Sequence, residues 1–136
     1  MGRAVEKVKL QNAFDASKRV EVKAVVDTGA TMVALPLEIV RQLGLRRFKQ
    51  VGVRYANNHT ARKDVYGVVA VEIQGRLGHF DVLGEEKASQ PLIGQTVLEE
   101  LDLVVNPKTR KVTPNPESPD MPMLEMLGFR VFHCAR

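Results

Sequence analysis

The residues best suited to chemistry stand together at Asp27-Thr28-Gly29-Ala30. The apolar run Ala24-Val25-Val26 leads straight into the acid, and Thr31-Met32-Val33-Ala34-Leu35-Pro36 follows it. This pattern presents a carboxylate at a strand end on a tight turn. Gly29 can take backbone conformations closed to other residues and lets N–H groups approach the carboxylate. Thr28 brings a hydroxyl able to bond nearby backbone, and Ala30 leaves the acid uncrowded. A carboxylate presented this way can act as a general base toward water or a general acid toward a leaving group. Taken alone, Asp-Thr/Ser-Gly is a weak signal: on average residue usage a chain this long holds one by chance about one time in twenty. The plain alternative is an Asx turn between two strands. The strongly apolar flanks, and the later Leu92-Ile93-Gly94 segment that leads into a helix, weigh against it.

Other candidates carry less. His59, His79 and His133 show no metal-ligand spacing, and no metal site is expected. His79, beside Phe80 on an expected strand, reads as structural or solvent-facing. His59 reads as a turn residue within reach of a substrate. Glu85 and Glu86 are adjacent, so their side chains point apart and a solvated loop is expected there. Met121, Met123 and Met126 read as packing or interface residues. Cys134 is the single cysteine, so no intrachain disulfide forms, and no activating partner stands beside it in the sequence. Arg46-Arg47-Phe48-Lys49 is the densest basic cluster; it reads as a solvated turn after a helix rather than a nucleic-acid patch.

The elements that must position these residues are mostly strands. Val20, Val22, Ala24 and Val26 alternate with polar residues, the period of a half-buried strand. Val8 and Leu10 suggest an earlier partner strand, with a hairpin through 12–18. Thr31 to Leu35 reads as a short strand and Pro36 to Leu43 as a short helix, stopped by Gly44. Val51, Val53 and Tyr55 alternate again, and the polar tip Ala56-Asn57-Asn58-His59-Thr60 suits a turn, since Asn tolerates positive φ. The return segment carries Val65, Gly67, Val69, Val71 and Ile73 on one face. Gln74-Gly75 is a second turn, and Leu77 to Leu83 a further strand. Gln95 to Leu101 reads as a helix with Val97, Leu98 and Leu101 inward. Leu103 to Val105 and Lys111 to Thr113 pair across a turn. Pro114, Pro116, Pro119 and Pro122 then mark an arm, and the apolar stretch Met123 to Cys134 is expected to dock.

Together, Asp27-Thr28-Gly29-Ala30 and Pro91-Leu92-Ile93-Gly94 before a helix resemble the two signatures of the retroviral-type aspartic proteases, the retropepsins, and particularly their small cellular and bacterial relatives. The resemblance covers about residues 5 to 114. It implies a mainly β fold, a closed acid-protease barrel with one or two short helices and a flap hairpin over Tyr55 to Tyr66. It implies a protease domain over 1–114 and a Pro-rich C-terminal arm over 115–136. Asp27 becomes the catalytic acid, supported by Thr28, Gly29 and Ala30, with Asn57, Asn58 and His59 at the flap as substrate-binding residues. The family's glycine-rich flap tip is absent here.

The implied chemistry is peptide hydrolysis by two apposed carboxylates that share one proton, because like charges about 3 Å apart cannot both ionise easily. Asp15, Asp64, Asp81, Asp102 and Asp120 all lack the Asp-Thr/Ser-Gly setting. The second carboxylate therefore comes from a second copy, and a twofold homodimer follows. Thr28 would bond across its axis. A peptide or protein would bind as an added strand under the flaps, with no cofactor.

Bulk properties bound the alternatives. The chain has 136 residues, enough for one domain but too short for two lobes that each carry a catalytic carboxylate. Its net charge is +4 with acids and bases interspersed, so no nucleic-acid partner is expected. Without an apolar run of membrane-spanning length or a leader-like start, no membrane association and a cytoplasmic location are expected. Three function classes stand: a dimeric aspartic peptidase, a catalytically silent peptide-binding module of the same fold, and a structural dimerisation domain. An intact Asp27-Thr28-Gly29 favours the first.

Overall fold

The structure, a computed structural model, describes residues 3–86 and 89–128. Strand β1 (Arg3–Asn12) and β2 (Asp15–Asp27) form an antiparallel hairpin whose register runs from Asn12 opposite Asp15 to Arg3 opposite Asp27. The Asn12 side chain shapes the turn: its carbonyl accepts from the Phe14 amide, and its amide donates to Leu43 O at 2.8 Å. Strand β3 (Val33–Pro36) enters helix α1 (Leu37–Gln42), which stops at Gly44, held at φ 64°. That left-handed value is open to glycine without a Cβ penalty. Strands β4 (Arg46–Arg54) and β5 (Thr60–Ile73) make the long second hairpin, and β6 (Arg76–Glu85) returns beside β5. Short β7 (Leu92–Ile93) precedes helix α2 (Gln95–Leu101), followed by the small sheet of β8 (Leu103–Val105) and β9 (Val112–Pro114).

The main sheet has the order β1-β2-β7-β3-β6-β5-β4, and β1 also pairs with β5. Six strands thus close into a ring, and β4 alone hangs outside it on one neighbour. The closed β fold expected from the sequence is therefore present. Alternation explains the core. Val65, Gly67, Val69, Val71 and Ile73 of β5 are all buried, and Val69, Val71 and Ile73 join Val8, Leu10, Val26, Val33 and Leu35 from other strands in one core. Each such side chain, fully buried, contributes roughly 1.5–3 kcal/mol. Helix α2 closes one end of the ring with Val97, Leu98 and Leu101.

Several expectations need correcting. The basic cluster Arg46-Arg47-Phe48-Lys49 is not a turn: it starts strand β4, because Gly44 ends the helix and Leu45 buries at the strand's entrance. The alternating pattern from Val51 was only the second half of that strand. Helix α2 ends without a glycine, at Asp102 in the left-handed conformation, φ 55°. Arg76, beside the Gln74-Gly75 turn, is buried, and its guanidinium donates to Leu101 O, Asp102 O and Ser118 O. In the arm, Met121, Met123, Leu124, Met126 and Leu127 are exposed. The rest of the stretch expected to dock, with His133 and Cys134, lies outside the described residues. No helix of the described residues is long and apolar enough to cross a membrane.

Candidate active site

Asp27 is the last residue of β2, half-buried, with Thr28 and Gly29 exposed beyond it. The turn forms because the Gly29 amide donates to Asp27 Oδ1 at 2.9 Å and the Ala30 amide to Asp27 O at 3.1 Å. The carboxylate thus ends its own strand. Of the two expected reasons for a glycine there, a positive φ is absent, while the approach of an N–H to the carboxylate is met by its own amide. The glycine also leaves space: a Cβ at Gly29 would lie 3.2 Å from Asp27 Oδ1.

Two neighbouring elements brace the turn through backbone. Strand β7 runs parallel to β2, with Val25 beside Leu92 and Val26 beside Ile93, and the Val25 amide donates to Pro91 O at 2.9 Å. The first amides of α2 have no partner within their helix. Gln95 N donates to Ala30 O at 2.7 Å and Thr96 N to Thr31 O at 2.9 Å. Gly94 makes this approach feasible, since a Cβ there would sit 2.5 Å from Met32 N and 2.7 Å from Thr31 C. The two sequence signatures are therefore one physical unit: the second holds the first in place.

The β4–β5 hairpin, where the flap is expected, is built differently. Its tip is a turn in which Asn58 N donates to Tyr55 O at 2.8 Å, Tyr55 N to His59 O at 2.8 Å, and His59 N to Asn57 Oδ1 at 2.9 Å. Asn58 takes φ 68°, as an Asn at such a turn can. Asn57, Asn58 and His59 are all exposed. Asn57 and His59 line a cavity of about 420 Å³ with Tyr55, Lys63, Glu85 and Ser89. Thr28 lines another, about 460 Å³, against α2 and β8. Asp27 lines neither, so within one chain these cavities do not join the Asp27 turn to the tip of the hairpin.

One cluster escaped the sequence reading. Glu85, expected in a solvated loop, ends β6 and is tucked against Tyr55 and Lys63 of the β4–β5 hairpin, its side chain 14% exposed. Tyr55 Oη donates to Glu85 Oε2 at 2.7 Å, and Lys63 Nζ stands 3.2 Å from Glu85 Oε1. Burial first, then the Glu85 hydrogen bond and charge, push the Tyr55 hydroxyl up to about 12. Tyr55 and Lys63 stand on either side of the flap turn, a spacing the sequence shows, but nothing in it pairs them with Glu85. His79 is exposed, as expected. No cluster of three or more His, Cys, Asp or Glu able to hold a metal occurs among the described residues.

A closed β ring that carries Asp-Thr-Gly on a turn braced by a C-terminal helix is the architecture of an aspartic protease. The chain belongs to the family described as "gag-polyprotein putative aspartyl protease", whose model matches residues 16–100. Among solved structures it is similar to the EIAV protease in complex with the inhibitor HBY-793, with a TM-score of 0.51 at 17% identity, over 71% of this chain and 85% of that one. It is also similar to the simian foamy virus (mac) protease in solution, with a TM-score of 0.49 at 18% identity, over 69% and 90% of the two chains. No curated protein matches the chain.

Proposed function

We propose that two copies of this chain form a twofold dimer that hydrolyses peptide bonds, with one Asp27 from each copy. The observation that carries the reading is the braced, half-exposed Asp27 turn, in a chain with no second acid in such a setting. Thr28 adds support: it is exposed, and its hydroxyl makes no hydrogen bond among the described residues, which suits a role across a twofold axis. In the pair, one ionised carboxylate takes a proton from water while the other, protonated, donates toward the leaving amine. An extended peptide adds as a strand beneath the flaps, with Asn57, Asn58 and His59 at their tips. The EIAV protease was solved with an inhibitor, which suits the same use of the fold.

A second reading is a peptide-binding module that cleaves nothing. The flap tip favours it: the tip has no glycine, and its backbone groups bond to one another. Replacing Asp27 by Asn separates the two. It keeps size and much of the hydrogen bonding but removes the base and the shared proton. Cleavage of a mixed peptide library, followed by mass spectrometry from acid to neutral pH, should fall by several orders of magnitude. The wild-type profile should be a bell set by the pair as a unit. Equal cleavage by both proteins overturns the catalytic role of Asp27; cleavage by neither favours the binding module.

A further inference from the structure

Two cavities on the outside of the ring meet at one residue. The first, about 430 Å³, opens beside the Asp27 turn: Thr31 and Met32, just past that turn, line it with Lys49, Val68, His79 and Asp81. The second is a trough of about 640 Å³, lined by Lys9, Arg19, Glu21, Glu72, Leu77 and again His79. The alternation of β6 explains the join. Asp81, His79 and Leu77 are all exposed, on the face opposite the buried Phe80 and Gly78. On β5, Ala70 stands beside His79 and Glu72 beside Leu77. The two strands thus make one outward track, roughly 14 Å long from Asp81 to Leu77 at about 3.4 Å per residue. At its far end β1 and β2 widen it, with Lys9 in register with Glu72 on one side and Glu21 on the other.

The trough is chemically mixed. It carries two cations, Lys9 and Arg19, and two anions, Glu21 and Glu72, and none of the four is in an ion pair among the described residues. Leu77 stands 57% exposed in it, while Ala70, also in its lining, is buried, so the surface dips there. We propose that this track extends the substrate site: residues of a polypeptide remote from the cleaved bond leave the cleft by Thr31 and Met32, pass His79 and lie in the trough. The occupant follows from the peptidase reading, on which the proposal rests, and from the continuity of the two cavities. The trough selects a segment that alternates basic, apolar and acidic side chains. Its acids meet Lys9 and Arg19, its bases meet Glu21 and Glu72, and an apolar side chain covers Leu77 and fills the dip over Ala70. A polyanion such as nucleic acid would meet as many like charges as opposite ones. About four residues of extended chain beyond those in the cleft span the track. No strand edge is used, since β5 and β6 are paired on both sides and only their outward side chains are engaged.

The experiment titrates the whole chain with three fluorescent probes. One is a short statine core, Val-Val-statine-Ala-Val; the others carry the repeat Lys-Val-Glu-Val, twice over, at its N-terminus or at its C-terminus. One lengthened probe should bind about tenfold more tightly than the core by anisotropy. Arg19→Glu with Leu77→Asp should abolish that gain and leave the affinity for the core unchanged. Both positions are exposed, and the milder Arg19→Gln with Leu77→Ala should reduce the gain. A benzophenone at the far end of the extension should label residues 9–21 or 70–79, read by mass spectrometry. The repeat alone, at high concentration, should label the same residues in wild type and in Asp27→Asn. If the core does not bind but the repeat does, the peptidase reading falls and the trough stands as a polypeptide site. Where the core binds, equal affinity for all three probes overturns the proposal, as does a gain that survives the double substitution. A repeat that labels neither stretch overturns it whether or not the core binds.

Discussion

The Asp27 turn and the β4–β5 hairpin are held by different means. Asp27 sits on a turn gripped by backbone on both sides: β7 alongside β2, and the α2 amides on Ala30 and Thr31. The hairpin's tip bonds only to itself; its base pairs with β6 at Val65 and Tyr66, and between the two the side-chain cluster of Tyr55, Lys63 and Glu85 is its further tie to β6. Backbone hydrogen bonds fix position whatever the side chains are, whereas a side-chain cluster can be lost to a single substitution or a pH change. Such a division suits the proposed reaction, which needs a fixed carboxylate under a cover that opens for substrate.

The largest stability effect on this contrast should come from Gly94→Ala. The added methyl meets backbone at Met32 and Thr31, which cannot swing aside as a side chain would. The expected cost is about 3 kcal/mol, seen as a drop in thermal midpoint together with loss of any activity. An unchanged midpoint would mean the brace is looser than described.

Tyr55→Phe should act next, and only on the flap. It removes the hydroxyl that donates to Glu85, at about 1–2 kcal/mol for a hydrogen bond to a charged acceptor. Hydrogen exchange should quicken over 46–66 while the amides of 24–31 stay protected. The same contact carries a pH signature. The Tyr55 hydroxyl is raised from 10.0 to about 12, so the neutral form is favoured in the folded protein. The contribution is complete below about pH 10 and is lost as pH rises toward 12. The flap root should therefore loosen in that window in wild type, and not in Tyr55→Phe.

The smallest effect should come from the arm. Asp102 accepts from Ser118 Oγ, from the Met123 amide at 2.9 Å and from Asn115 Nδ2 at 3.1 Å. These contacts, the Ser118 hydroxyl foremost, hold its carboxyl below the usual carboxylate range. A depressed acid contributes stability above its ordinary value and loses it as pH falls through the lowered one. Acid, or Asp102→Asn at neutral pH, should release residues 115–128, read as faster proteolysis there with little change in the midpoint of the barrel.

Much of this was legible in the sequence, for reasons that can be named. Period-two alternation located β2 and β5, since one face of each must enter the core. Helix α2 was readable from its inward Val97, Leu98 and Leu101. The Asp27 turn was readable because Asx turns are local. The reason for Gly29 was legible in part: its amide does approach the carboxylate, but without the special φ also expected of it. The start of β4 was missed because Arg46 to Gln50 is an edge strand exposed on both faces, so no alternation marks it. Glu85 and Arg76 were missed because their partners stand 22 or more positions away in the chain, and charged residues are ordinarily exposed. Asp102 ends its helix in a conformation more usual for glycine, so its role as the arm's anchor left no local mark.

The central claim is that two chains share one site, and subunit mixing tests it most directly. Wild type is mixed with increasing Asp27→Asn protein, equilibrated through dissociation, and assayed on one peptide substrate. Because each mixed dimer holds a single catalytic carboxylate, activity per wild-type chain should fall to roughly half at equal proportions and continue toward zero in excess variant. Activity per wild-type chain that stays constant at every proportion, with mixed dimers demonstrated by native mass spectrometry, would contradict the account.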